Sequence, residues 1–224
     1  MATPAEFYKN LSPYEKAKLT GTLSMLFNFA AGAFKFVAGM LTYVAALCIS
    51  GLDSVFCGAA KRIYFGGMRA SMGNESRECG YYLAMGGVLI VSSAFHTVYM
   101  YGYAEYGSAG RPGAFAVVAV CVLAAVELIV SLAGFIRARR DGDLLMEGLR
   151  FVNLYTASAA IVTALAAVSA ALGAADDERT VFGGAAGVVS GIAGMLAGAF
   201  MTIKGAVLSR RYAKRPRVRI LRRK

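Results

Sequence analysis

Asn28–Cys57 reads NFAAGAFKFVAGMLTYVAALCISGLDSVFC. Two long apolar runs meet in this stretch with almost no room for a loop, and Asn28, Lys35 and Asp53 lie inside them or at their edges. An ionisable group at membrane depth costs roughly a few kcal/mol or more, so it persists where it lines a pathway or meets a partner. The stretch therefore predicts a tight pair of membrane helices with a break near Ser50-Gly51, where glycine loosens helix continuity.

The rest of the chain extends the same reading. Of its 224 residues, 58% are hydrophobic, and the mean hydropathy is +0.56. A water-soluble domain of this composition would expose large adhesive patches. Apolar stretches of about 20 residues, the length that crosses a bilayer of about 30 Å, recur at 21–48, 50–70, 80–102, 114–137, 144–173 and 181–208. The fold class is all-α, a polytopic membrane protein built as a bundle of six transmembrane helices over 21–208. Residues 1–20, too polar for a cleavable signal, form a cytoplasmic lead-in, and residues 209–224 a basic tail.

Loop charge sets the orientation. Arg69 and Arg77 follow the second span, and Arg137, Arg139 and Arg140 the fourth. The opposite loops, YAEYGSAGRPG and GAADDERT, carry one arginine each. By the excess of Lys and Arg on the inner side, both termini are cytoplasmic. Tyr99, Tyr101, Tyr103 and Tyr106 cluster at the outer end of the third span, as an interfacial belt would. A plasma (inner) membrane location follows from the missing targeting peptide. The tail, SRRYAKRPRVRILRRK, lacks the stacking aromatics or folded module of a nucleic-acid patch. It reads as a juxtamembrane segment drawn to anionic lipid headgroups at about 1 kcal/mol per basic residue. The sixth span carries Gly187-xxx-Gly191 and Gly194-xxx-Gly198. Small residues so spaced let helix backbones approach, either inside one bundle or between two copies.

The polar groups inside the spans are the candidates for chemistry. Asp53 and Cys57 are one turn apart on one helix face, and a carboxylate and a thiolate are both ligands for Zn²⁺-like ions. Glu127 sits amid apolar residues in the fourth span, and Lys35 is its natural opposite charge, with Asp53 the other choice. The single histidine, His96, reads as a packed hydrogen-bonding residue before a ligand. Lys61 and Arg62 read as side chains that snorkel to the interface. Cys48, Cys57, Cys79 and Cys121 show no CxxC spacing, which points away from a disulfide framework or zinc ribbon. HExxH, GxSxG and Walker motifs are absent, so catalysis is not expected.

Leu52-Asp53-Ser54-Val55-Phe56-Cys57, with Asn28, Lys35, Gly39 and Thr42 ahead of it, resembles the second and first spans of the cation diffusion facilitator (cation efflux) family. That family carries Asp-x-x-x-Asp or His-x-x-x-Asp in span two and a matching His-x-x-x-Asp in span five. The stretch ARRDGDLLMEGLRFVNLYTASAAIV resembles its span five, with Glu147 at an acid position, Arg150 on the histidine and Leu154 on the final aspartate. Arginine stays protonated and leucine has no donor, leaving Asn153 as the nearest weak ligand, and the family's cytoplasmic C-terminal domain has no counterpart. The resemblance implies a homodimeric transporter of a divalent cation such as Zn²⁺ by proton antiport. Asp53 and Cys57 would be its ligands, with Glu147 or Glu127 completing the set. The same substitutions support an alternative, a non-transporting relative acting as a structural or regulatory partner. In that case Arg150 replaces the metal as counter-charge to Asp53, unless it snorkels to the surface.

Overall fold

The computed structural model describes residues 13–42, 45–70, 74–106, 114–138, 143–171 and 177–213. The first twelve residues, the connecting loops with Arg139 and Arg140, and the basic tail from 214 onward lie outside them. The described residues form six helices and no strand: α1 Pro13–Thr42, α2 Ala45–Ala70, α3 Glu75–Tyr106, α4 Ala114–Ala138, α5 Leu144–Ala171 and α6 Asp177–Ala213. Asn74 opens α3 as its cap, accepting from the Arg77 amide at 3.2 Å through its side chain, with Glu75 and Glu78 at the positive end of the helix.

Four helices hold stretches long and apolar enough to cross a membrane: Gly21–Leu41, Glu75–Tyr106, Leu144–Ser169 and Phe182–Ala213. The apolar stretch of α4, Val117–Ala133, is shorter. Asp53, Lys61, Arg62 and Arg69 all lie in α2 and interrupt its apolar run.

The distribution of side chains supports membrane placement independently of length. Leu41 (76% exposed), Val98 (73%), Leu196 (67%) and Ile129 (66%) face outward from α1, α3, α6 and α4. Lys35, Asp53, Lys61, His96 and Glu127 are buried, none more than 4% exposed. A water-soluble fold places these classes the other way round. An apolar exterior around a charged interior is what a hydrocarbon surround selects. Of the expected tyrosine belt, Tyr101 and Tyr106 are exposed, whereas Tyr103 is buried and its hydroxyl donates to the Ala166 carbonyl at 3.4 Å.

α2 packs on α1, α3 and α5, while α4 lies against α5 and α1, and α6 against α3 and α5. The expected break at Ser50-Gly51 is not there. α2 runs through both residues, from Ala45, and α1 ends at Thr42. Gly51 serves a different purpose: a Cβ there would lie 2.7 Å from the Gly32 carbonyl oxygen and 2.7 Å from the Phe36 nitrogen. Glycine is present so that two backbones can touch.

The glycines of α6 act alike against α3. Gly184, Gly187, Gly191, Gly194, Gly198, Met201 and Gly205 follow a seven-residue repeat, the spacing of a continuous helix–helix seam. Gly184 meets Ala104, Gly187 meets Met100, Gly191 meets Thr97 and Gly198 meets Gly86, so the two helices run antiparallel. The small-residue face considered for pairing two copies is therefore covered by α3 of the same chain. Gly86 and Gly87 make the distinction testable. A Cβ on Gly86 would lie 2.9 Å from the Gly198 carbonyl oxygen, whereas one on Gly87 meets nothing within 4 Å. Gly86→Ala is expected to destabilise by about 1–3 kcal/mol, and Gly87→Ala to be neutral or to stabilise by up to about 1 kcal/mol. Thermal unfolding in detergent micelles checks both, and equal losses would contradict the seam.

Candidate functional site

The interior polar groups form two clusters that share α2. Asp53 and Ser54 are consecutive, so their side chains leave the helix about 100° apart and serve different neighbours. Ser54 faces α1 and α4. Its hydroxyl donates to Glu127 Oε1 at 2.8 Å, and Lys35 Nζ meets Glu127 Oε2 at 2.5 Å. Lys35 Nζ also lies 3.4 Å from Ser54 Oγ. Desolvating a lysine or a glutamate alone is costly; together, with a hydroxyl on the second carboxylate oxygen, each offsets much of the other's penalty. Of the two pairings open to Lys35, the structure makes the one with Glu127.

Asp53 faces α3 and α5. Its Oδ1 accepts from Ser92 Oγ at 2.8 Å and from the Tyr155 hydroxyl at 3.1 Å. Its Oδ2 lies 2.5 Å from His96 Nδ1. His96 Nε2 is buried and has no partner. The His96 and Tyr155 rings meet edge to face, with centroids 6.2 Å apart. Between the clusters is a cavity of about 10 Å³, lined by Ser50, Asp53, Ser54, Cys57, Glu127 and Thr156 among others. That is near the lower limit for holding one water. Both carboxylates thus border the same small space.

Lys61 was expected to reach the interface and does not. It is buried, donating to Ser24 Oγ at 2.8 Å. Asn28, its amide turned to suit its neighbours, accepts from Lys61 Nζ at 3.2 Å and donates to the Ser24 carbonyl at 3.2 Å. Asn28 is thus a brace between α1 and α2.

The expected metal set is not brought together. Asp53 and Cys57 share one face of α2 and border the cavity. Glu147 belongs elsewhere: Lys204 Nζ donates to its two oxygens at 2.8 and 2.6 Å, and the Tyr82 hydroxyl donates to Oε1 at 2.9 Å. This ties α5 to α6 and α3. Among the described residues, no three His, Cys, Asp or Glu side chains are placed to hold one metal ion. The expected Arg150–Asp53 salt bridge is also not formed. The groups on Asp53 are Ser92, His96 and Tyr155, and Arg150 is half-buried near the start of α5. Three hydrogen bonds already satisfy the carboxylate, which removes the need for an arginine.

Sequence reasoning missed Ser92 and Tyr155 as partners of Asp53. A signal existed for the first: Ser92 and His96 are one turn apart in an otherwise apolar run, so they present two polar groups on one face. Nothing local marks Tyr155. Compared with family models, curated proteins and solved structures, the chain matches none. The resemblance to cation efflux proteins therefore rests on the residues quoted above.

Proposed function

We propose that this chain spans the bilayer six times and passes a small cation through the bundle interior in exchange for protons. The observation that carries the reading is the inverted side-chain distribution. Five ionisable residues are buried, two of them, Asp53 and Glu127, on a small cavity, inside a surface of Leu, Ile, Val and Phe. An ionisable group kept at membrane depth is by default a candidate for an ion or proton pathway. Asp53 is the principal residue, because it borders the cavity and meets the histidine. The cargo implied by the resemblance is a divalent cation of the zinc type. Asp53 oxygen and Cys57 sulfur are donors of the right chemistry; among the described residues no third such side chain is placed to join them, and Glu147 is held by Lys204. In this reading both termini face the cytoplasm at the plasma membrane, where the basic tail meets anionic headgroups.

The test is zinc uptake into proteoliposomes that enclose a zinc-sensitive dye and carry a pH gradient. Uptake is expected with the native chain and should fall at least about tenfold in Asp53→Asn, which preserves side-chain shape. Native uptake no faster than leakage into protein-free vesicles would overturn the reading.

A second reading has its own support. Both carboxylates already have protein partners, Glu127 with Lys35 and Ser54, Asp53 with His96, Ser92 and Tyr155. A non-transporting structural or regulatory membrane partner would need no more. It requires the same charge pairs for stability and gives no uptake with any variant.

A further inference from the structure

We infer that the inner end of α2 carries a site for an anionic phospholipid of the surrounding bilayer, its headgroup held by Arg62, Arg69 and Arg77. The proposal rests on the membrane placement and orientation above and is independent of transport.

The site follows from helix periodicity. Arg62, Gly66 and Arg69 are spaced by four and three residues, so they share one face of α2. The residues on either side are committed to other helices. Phe65 packs on α1, where its ring occupies the place that a side chain on Gly21 would take. Gly67 packs on α3: a Cβ there would lie 2.9 Å from Tyr81 Cβ, whereas one on Gly66 would lie 3.6 Å from Tyr81 Cε1. The edge of the Tyr81 ring therefore borders the strip, which lies between α1 and α3. Asp53 meets Ser92 and Gly67 meets Tyr81, so α2 and α3 run antiparallel. Arg77, one turn before Tyr81 on the same face of α3, thus comes level with the Arg69 end of α2. All three arginines are exposed, and among the described residues none has an ion pair. The nearest acids on α3 are directed elsewhere. Glu78 is turned to Asp143 at the start of α5, and Glu75 lies about 200° round the helix from Arg77.

Depth selects the ligand. Asp53 is held by Ser92, close to the middle of α3. Arg62 is about 13 Å along the axis from Asp53, near the inner edge of a hydrocarbon layer about 30 Å thick. Arg69 is about 10 Å further, among the headgroups. An arginine facing lipid at the hydrocarbon edge is satisfied by the phosphates that lie there, because its planar fork matches two phosphate oxygens at once. Outward from Arg62 the wall between α2 and α3 turns apolar. Phe56 of α2 stacks on Phe95 of α3 with centroids 6.3 Å apart, and Phe95 is 56% exposed. A cationic end followed by an apolar wall fits a headgroup and its acyl chain; a free anion would use only the first.

The experiment is native mass spectrometry of the full chain, titrated in micelles with dioleoylphosphatidylglycerol or with dioleoylphosphatidylcholine, which share acyl chains and differ in charge. The native chain is expected to bind the anionic lipid more tightly. Arg62→Gln combined with Arg69→Gln should weaken that binding at least about tenfold. Gly66→Leu, which fills the floor between the two arginines and removes no charge, should weaken it as well. Arg210→Gln combined with Arg211→Gln makes the same charge change at the exposed end of α6 and should leave the affinity nearly unaltered. The arginine variants alter exposed side chains, so they keep the test decisive if Gly66→Leu does not fold. Equal affinity of the native chain for the two lipids would overturn the proposal, as would an equal loss in the α6 variant. Displacement of the bound lipid by inorganic phosphate would overturn it too, by assigning the arginines to a soluble anion. Selective lipid binding with no zinc uptake in vesicles would retain this site and discard the transport reading. Lost selectivity in a chain that still enters bilayers would discard the site alone.

Discussion

Glu127→Ala is expected to destabilise the folded chain by about 3–5 kcal/mol, because it leaves Lys35 as a buried cation without its counter-charge. Lys35 is 1% exposed, and its remaining contact in this cluster is the longer one to Ser54 Oγ at 3.4 Å. Ser54 would lose its acceptor on Glu127, but its one hydroxyl hydrogen can turn to the Ser50 carbonyl, 3.0 Å away. The loss is thus concentrated on the lysine. Lys35→Met combined with Glu127→Leu should recover most of the stability, since a well-packed apolar pair replaces a desolvated ionic one at little net cost. Denaturant unfolding in mixed micelles, followed by helicity, measures the full cycle. A single variant within about 1 kcal/mol of the native chain would mean that Lys35 and Glu127 do not meet.

The second large effect is at Asp53. Asp53→Ala removes the acceptor of three side chains, Ser92, His96 and Tyr155, on two further helices. Each buried donor left without a partner costs about 1–3 kcal/mol, so the sum is comparable to the stability of a whole domain. Two of those donors can be removed in advance. In a Ser92→Ala, Tyr155→Phe background the cost of Asp53→Ala should fall markedly, because fewer groups are stranded; such non-additivity identifies side chains acting as one unit. Additive losses would show that Asp53 is not joined to Ser92 and Tyr155. Asp53→Asn, which retains a carbonyl acceptor, should cost less than Asp53→Ala in either background.

The helices were legible because their signal is long-range and repetitive. Six apolar stretches separated by polar loops leave little else to build, and the six helices fall on those stretches. The tight pairing of the first two was legible from Asn28–Cys57, but the position of the turn was not. Gly51 looks like a break when only local propensity is considered. It is a contact, and its meaning lies in Gly32 and Phe36 on another helix. Charge narrowed the partners of Lys35 to Glu127 or Asp53, since an interior with few ions offers few pairings, and packing makes the first. The partners of Asp53 did not follow. Glu147 and Arg150 were placed near it by resemblance to a sequence pattern, whereas the packing of α5 brings Tyr155, two turns beyond Glu147, to that carboxylate. Glu147 is drawn to Lys204 instead, a residue that periodicity places on α6 without saying what it faces. Hydroxyl and imidazole groups that satisfy a buried acid are chosen by three-dimensional proximity, which composition and spacing do not carry.

The claim on which the rest depends is that charge points inward and hydrocarbon surrounds the outside. Spin labels placed singly at Leu41, Val98, Ile129 and Leu196 in lipid bilayers, with relaxation by oxygen and by a water-soluble nickel complex, measure it directly. All four side chains are exposed on the bundle surface. Labels there should be mobile and relaxed strongly by oxygen and weakly by nickel, whereas a label at Ser92, buried beside Asp53, should be immobile and shielded from both. Strong relaxation by nickel at the four outer positions would place that surface in water and contradict a membrane bundle with a charged interior.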